Sequence, residues 1–449
     1  MRNQLRLLRD VSALFLIACT WQLWFAASDF PAVPFFEFLS AVPRMVDPVL
    51  SGLLVAALLV DAFLAAERCL RGGAFVRSLR IEQRCDLLFV VMAICLILLN
   101  QHCLQPWMYH FLIITPLLWL QFSKSELTVE KAGRDKTLES AQDQTFARNS
   151  ILWLTSSVYI WSAWSKIDTS FLQTHGPKFV GAICDAVGIS TRFWTDRTWQ
   201  VAASFLPAGE LLVGVAMLFR RSRSFALWCS LAMHLLLIVA VGPWGLNHRA
   251  GVLLWNGFFI VQNIVLLRTF RDAVAAGASA GLPGSENCLK RTAGQVGSGT
   301  QFRLSVALVA GAILLPALRS VGCCDTWPAW AVYASSPARV LMQVREDSVE
   351  QLPESLQQFV EPRPFNDGWS WLRIDLWSLA ATGTPIYPED RFQLGVARAV
   401  AHEANLRDDI RIIHEEESDR WTGNRERSEI VGESAMDEVA KRFLLNSWP

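Results

Sequence analysis

Tyr159-Ile160-Trp161-Ser162-Ala163-Trp164-Ser165-Lys166-Ile167-Asp168 closes an apolar run that opens near Ile151. The run is long enough to enter a bilayer, and a lysine and an aspartate stand where it meets the interface. Other apolar runs lie on both sides of it in the sequence. That setting puts the charged pair at the edge of a membrane bundle rather than on an ordinary surface. Two readings stand. Either Lys166 snorkels to the headgroups and Asp168 is plain loop, or the pair belongs to a site at the membrane boundary.

Composition supports the membrane setting. Of 449 residues 52% are hydrophobic and 18% charged, where a soluble chain carries about 25% charged residues. The formal net charge is zero, which argues against nucleic acid as a partner. The natural partner is the lipid bilayer.

Nine apolar runs can be counted: 11–28, 48–66, 87–99, 107–122, 151–166, 201–219, 225–241, 251–267 and 304–317, the last extending to residue 321. The first follows Arg2, Arg6 and Arg9, and Phe25-Ala26-Ala27-Ser28 offers small residues for signal cleavage. Trp21 and Trp24 inside the run, and the spans that follow, favour an uncleaved helix. With a cytoplasmic N-terminus, the basic connectors 67–86, 123–149, 220–223 and 268–303 all fall on one side, as the positive-inside rule requires. Links 100–106 and 243–249 are nearly free of lysine and arginine. The expected protein is a polytopic all-α bundle over residues 1–321, with a cytoplasmic linker at 272–302, in a membrane of the bacterial inner (plasma) type.

The odd number of spans places 322–449 outside. This tail is rich in charge and reads as a small extracytoplasmic α/β domain. Short strands are expected in Arg339–Arg345 and 409–413, and amphipathic helices in 348–360, 388–405 and 432–446.

Polar residues inside the runs carry the candidate chemistry, because a charge at mid-depth is costly and usually faces the bundle interior. Glu210, about ten residues into its run, and His234, midway along the next, share a depth on two spans joined by a tight turn. They are expected to face each other, as a structural hydrogen bond or as a proton relay beside a ligand cavity. Asp61 reads as structural. Trp164, Trp255 and Asn256 are candidates for the cavity wall, with a belt-anchor role open for Trp255. Of the ten cysteines, Cys19, Cys95 and Cys229 read as packing residues, and Cys323-Cys324 as a vicinal disulfide, as partners of other groups or as a lipid acceptor. The seven histidines lack metal-ligand spacing, so no metal site is expected.

Tyr159…Ser165-Lys166-Ile167-Asp168 resembles the span-end lysine motif of the vitamin K-dependent γ-carboxylase-like family, the group of horizontally transferred transmembrane (HTTM) domains. Pro207…Glu210-Leu211-Leu212-Val213-Gly214, followed by a basic turn and a histidine-containing span, is similar as well. So is Asn100-Gln101-His102…Leu104-Gln105-Pro106-Trp107-Met108-Tyr109. DoxX-like membrane proteins share part of the pattern. The resemblance spans residues 10–270. It implies a quinone as ligand, with the lysine matching Lys166 deprotonating a hydroquinone at the bilayer interface. The family pattern has a second lysine where Ser165 stands, and an acidic-Trp-x-x-Gly continuation where Thr169-Ser170-Phe171-Leu172 stands. Its large β-rich lumenal part is also far longer than 322–449.

Two functions of different class are therefore expected. One is a quinone- or lipid-linked oxidoreductase with Lys166 as base, Glu210 and His234 as proton-handling groups, and Trp164, Trp255 and Asn256 around the ligand. The other is a non-catalytic membrane protein that binds lipid or a protein partner and displays the outer domain. For the base reading, desolvation of Lys166 has to outweigh the nearby carboxylate of Asp168, which favours the ammonium.

Overall fold

Long apolar runs without interior turn signals form helices, and the computed structural model is mostly helical up to residue 321. The structure describes residues 1–71, 76–129, 136–279, 300–362 and 367–449. Helices α1 (Arg2–Cys19) and α2 (Trp21–Trp24) lead to α3 (Val46–Arg71), α4 (Val76–Leu99), α5 (Pro106–Val129) and α6 (Lys136–Lys166). Short α7 (Thr169–Gln173) and α8 (His175–Ala186) precede α9 (Asp196–Leu218), α10 (Arg223–Val241), α11 (Ala250–Ser279) and α12 (Thr300–Leu314). Residues 280–299 of the expected linker and 130–135 of connector 123–149 lie outside the described residues.

Five helical segments among the described residues are long and apolar enough to cross a membrane: Val46–Leu70, Asp196–Leu218, Arg223–Val241, Ala250–Asp272 and Arg303–Val321. They are compatible with an integral membrane protein, and they coincide with five of the nine expected spans. The other four runs fall on α1, α4, α5 and α6. The first run is corrected in its bounds. The helix starts at Arg2, takes the basic flank into itself, and breaks at Thr20, whose φ of −128° is not helical. Its arginines enter because carboxylates await them. Arg2, Arg6, Arg9 and Arg68 meet Asp10, Asp61, Glu82 and Asp86 in one buried cluster between α1, α3 and α4.

The C-terminal part forms a small five-stranded antiparallel sheet in the order β2-β3-β1-β4-β5. Its strands are β1 (Arg339–Arg345), β2 (Val360–Pro362), β3 (Trp369–Leu372), β4 (Ile410–Glu415) and β5 (Arg427–Val431). Helices α13 (Glu354–Gln357), α14 (Ile374–Thr382), α15 (Asp390–Glu403) and α16 (Glu433–Ala440) complete the domain. Alternation puts Val340, Met342 and Val344 of β1 with Ile410 and Ile412 of β4 in one buried cluster with Phe392, Val396 and Val400 of α15. The expected helix at 348–360 is corrected to a 3-10 turn (Glu346–Gln351), the single turn of α13 and the start of β2. Pro353 interrupts that stretch, because it cannot continue a helix from the preceding residue.

The domain sits on one end of the bundle and is bonded to it at many points. Arg391 donates to Gln101 at 3.0 Å, His102 Nε2 lies 2.8 Å from the Pro385 carbonyl, and His248 Nδ1 lies 2.9 Å from the Tyr333 hydroxyl. The backbone N–H of Asn446 donates to the Phe35 carbonyl at 3.1 Å. That end is called the domain end below.

Candidate functional site

The site grows from one tight helix pair. A Cβ at Gly214 on α9 would lie 2.9 Å from Ile160 Cγ1 and 3.1 Å from the Ser156 carbonyl, so only glycine allows this approach of α9 to α6. The Ser156 hydroxyl seals the contact by donating to the Gly214 carbonyl at 2.6 Å. One turn away, Lys166 Nζ donates to Glu210 Oε2 at 2.7 Å and to the Ser162 hydroxyl at 2.5 Å. Lysine and glutamate are only 13% and 14% exposed. A snorkelling lysine turns its ammonium to water. This one turns inward to a carboxylate.

The level of the pair differs from the expectation for Lys166. Glu210 stands about 21 Å along α9 from Asp196 at 1.5 Å per residue. Lys166 ends its own helix there, about two-thirds of the way along α9, because α7 and α8 continue past it at the domain end. Asp168 is not its partner. Its carboxylate accepts the Phe171 N–H at 3.1 Å as the N-cap of α7. Burial raises the Asp168 carboxyl above its usual range, partly offset by the N–H groups of Phe171 and Ser170.

His234 joins a different network, so the expected Glu210–His234 pair is corrected. His234 Nε2 lies 2.7 Å from the Tyr159 hydroxyl, and Nδ1 lies 2.8 Å from Asn256 Oδ1. Asn256 Nδ2 donates to the Val252 carbonyl at 2.9 Å, which assigns its oxygen to the histidine. Nδ1 therefore carries the proton and Nε2 accepts from Tyr159. Asn263 Nδ2 in turn donates to the Tyr159 and Ser230 hydroxyls, both at 2.9 Å. The chain Asn263–Tyr159–His234–Asn256 thus runs in one direction with a neutral imidazole. Tyr159 and Lys166 are seven residues apart on α6, two turns of one face, so the two networks are stacked along it.

The cavity-wall candidates divide between them. Trp255 packs on Phe259 at 5.4 Å, and the His234 ring stacks on the same phenyl at 5.0 Å. Trp164 is 48% exposed and lies under the Arg420 guanidinium at 4.5 Å. Arg420 belongs to the link between β4 and β5, which reaches down to the α6–α7 corner. There the Thr169 N–H donates to the Arg420 carbonyl at 2.9 Å, and its hydroxyl to the Trp421 carbonyl at 2.7 Å. The C-terminal domain thus roofs the end of α6.

Sequence reasoning missed Tyr159, Ser162 and Asn263 as polar partners, although Ser162 and Tyr159 stand four and seven residues before Lys166 on one helix and Asn263 stands seven after Asn256 on another. It also missed His110. That residue is fully buried among Phe258, Phe259 and Trp330, and neither ring nitrogen has a hydrogen-bond partner. Among the described residues no group of three or more His, Cys, Asp or Glu side chains is placed to hold a metal ion. No family model matches the chain, and no curated protein or solved structure is significantly similar to it.

Proposed function

We propose that the chain is a polytopic membrane protein of the HTTM type, and that the Lys166–Glu210 pair handles a proton for a lipid-soluble substrate such as a quinol. One observation carries this reading: the ammonium is bonded to a carboxylate at 2.7 Å in a largely enclosed site. A proton passing from Nζ to Oε2 converts the ion pair into a neutral amine and a carboxylic acid, without leaving net charge in an apolar setting. The free amine then removes a proton from a hydroxyl brought beside it. Ser162 steadies the amine, and Asp168 does not oppose this, because it is engaged at the start of α7. Two segments that resemble the γ-carboxylase-like family, at Tyr159–Asp168 and Pro207–Gly214, meet in this pair, which supports the assignment. Placement of the N-terminus in the cytoplasm, the C-terminal domain outside and nine spans overall rests on the four basic connectors.

A second reading has its own support. The pair stands one turn from the Gly214 contact, where a lysine–glutamate bond locks α6 to α9 in a non-catalytic protein that displays its C-terminal domain. Mass spectrometry of small molecules that co-purify in mild detergent separates the two. A quinone held by the wild-type protein and lost in Lys166→Met supports the proton-handling reading. A quinone-free wild-type protein, destabilised by Lys166→Met alone and partly restored by Lys166→Met/Glu210→Gln, leaves only the lock.

A further inference from the structure

We propose that the β4–β5 link anchors the C-terminal domain in the bilayer, with the Trp421 ring seated among the phospholipid headgroups at the domain end. The inference rests on the membrane setting of the bundle and not on any role of Lys166.

Two tethers set the depth of the link. Lys166 is bonded to Glu210, and further along the chain a Cβ at Gly176 would lie 2.7 Å from that of Ala203. Residues 167–175 are therefore held beside 203–210, about 10 to 21 Å along α9 from Asp196 at 1.5 Å per residue. Since α9 is a candidate membrane span, that stretch lies within the depth the span covers. The link meets it at Thr169, through the carbonyls of Arg420 and Trp421. The second tether reaches another candidate span, Arg303–Val321, where Arg319 donates to Glu417 at 2.8 Å. Trp161 Nε1 donates to the Ile313 carbonyl at 2.8 Å, so this span runs beside α6. Both tethers stand on the rim of the bundle. Trp164, under the Arg420 guanidinium, is half exposed on the last turn of α6, and Val321 is exposed at the end of its span.

The tip of the link is built to present its ring. Asp419 Oδ1 accepts the N–H groups of Trp421 and Thr422 at 3.1 and 2.7 Å and the Thr422 hydroxyl at 2.8 Å. Gly423, at a φ of +74°, closes the turn by donating its N–H to the Asp419 carbonyl at 2.8 Å. A turn already fixed in this way loses little further freedom on contact with a bilayer. Trp421 keeps 74% of its surface free of protein. An indole, apolar in its body and carrying one N–H donor, suits the boundary between acyl chains and headgroups. Asp419 and Arg420 precede it with opposite charges, which stay at headgroup level and stop deeper entry. Because those charges cancel, the ring supplies the attraction and an uncharged bilayer suffices.

The test is labelling by a charged, membrane-impermeant maleimide, read peptide by peptide in a mass spectrometer so that native cysteines are told apart. The full chain is placed in phosphatidylcholine nanodiscs with Thr422→Cys at the tip or Ser428→Cys on β5, both exposed positions. Thr422→Cys keeps the two N–H bonds to Asp419. It is expected to label about tenfold slower than Ser428→Cys, because an interfacial thiol holds about a tenth as much thiolate, the form that reacts. Adding Trp421→Ser frees the tip and brings its labelling up to the rate of Ser428→Cys. Equal rates without that change overturn the anchor. So does slow labelling that survives Trp421→Ser, because protein rather than lipid then covers the tip. A chain that fails to enter nanodiscs refutes the membrane setting itself, and the anchor with it.

Discussion

Replacing Arg9 by methionine tests whether the buried charge cluster is a structural core or a topogenic flank. Arg9 is 1% exposed, and its five N–H hydrogens make five bonds: two to Asp10 at 2.7 and 2.5 Å, and one each to Asp61, Asp86 and Thr115 at 2.6, 2.8 and 2.9 Å. The cluster sets four guanidinium groups against four carboxyl groups, a formal charge of zero. Arg9→Met leaves one carboxylate unmatched in the interior, which costs about 3–5 kcal/mol. Arg9→Lys keeps the positive charge but brings three donors to a site built for five, so it costs at least about 2 kcal/mol through lost charge-assisted bonds. Arg9→Met/Asp61→Asn removes one charge of each sign, and its cost falls short of the sum of the single changes by about 1–3 kcal/mol. Unfolding titrations in detergent give the free energies, and a reporter at the N-terminus gives orientation. Losses under about 1 kcal/mol for both single variants, with orientation disturbed only by methionine, refute the structural core and leave the arginine as a topology signal.

Gly214→Ala drives a methyl group into Ile160 and the Ser156 carbonyl, at an expected cost of about 1–3 kcal/mol in thermal unfolding, while Gly257→Ala, with nothing within 4 Å, is neutral or stabilising. Tyr159→Phe leaves His234 Nε2 and Asn263 short of a partner, and a double-mutant cycle with His234→Phe should show coupling of about 1 kcal/mol or more. Burial and the neighbouring Asp325 push the Glu389 carboxyl up to about 7 from an ordinary 4.5. The folded state therefore holds this proton more tightly than the unfolded state, so Glu389 lowers stability as pH rises from 4.5 to 7, by about 3 kcal/mol at most. Buried His102, lowered to about 4 by desolvation, acts in the opposite sense. The measurement is thus the difference between wild type and Glu389→Gln across that range. A flat difference refutes the assignment.

Hydropathy made the apolar helices at 48–66, 201–219, 225–241, 251–267 and 304–321 legible, since a long apolar run carries its own evidence. Strand β1 and helix α15 were legible for the same reason: alternation and helical spacing are local patterns. Partners were not. Lys166, Glu210 and His234 stood out as polar residues in apolar runs, but which one meets which depends on how each helix is rotated. Glu210 turns to α6 although the tight turn joins its helix to α10. Asp61 was read as structural, yet its guanidinium partners lie 52 and 55 residues earlier, in a flank whose charge suggested only orientation. Strands such as β3, with four residues, and β5, exposed at four of its five positions, are too short or too polar to announce themselves.

The bond between Asn446 and Phe35 has a consequence in time. Gln101 Nε2 also donates to the Asn446 carbonyl at 2.8 Å, and Asn446 Nδ2 to the Pro34 carbonyl at 3.1 Å. At a synthesis rate of about 5–20 residues per second, Pro34 waits roughly 20–80 s after its own addition before Asn446 exists. Over that interval the loop at Pro34 and the turn at Gln101 lack their final cover. Nascent chains stalled short of residue 446 therefore present a bundle whose domain end is still open, and a ribosome-bound series of increasing length should show protease protection there arriving late and in one step.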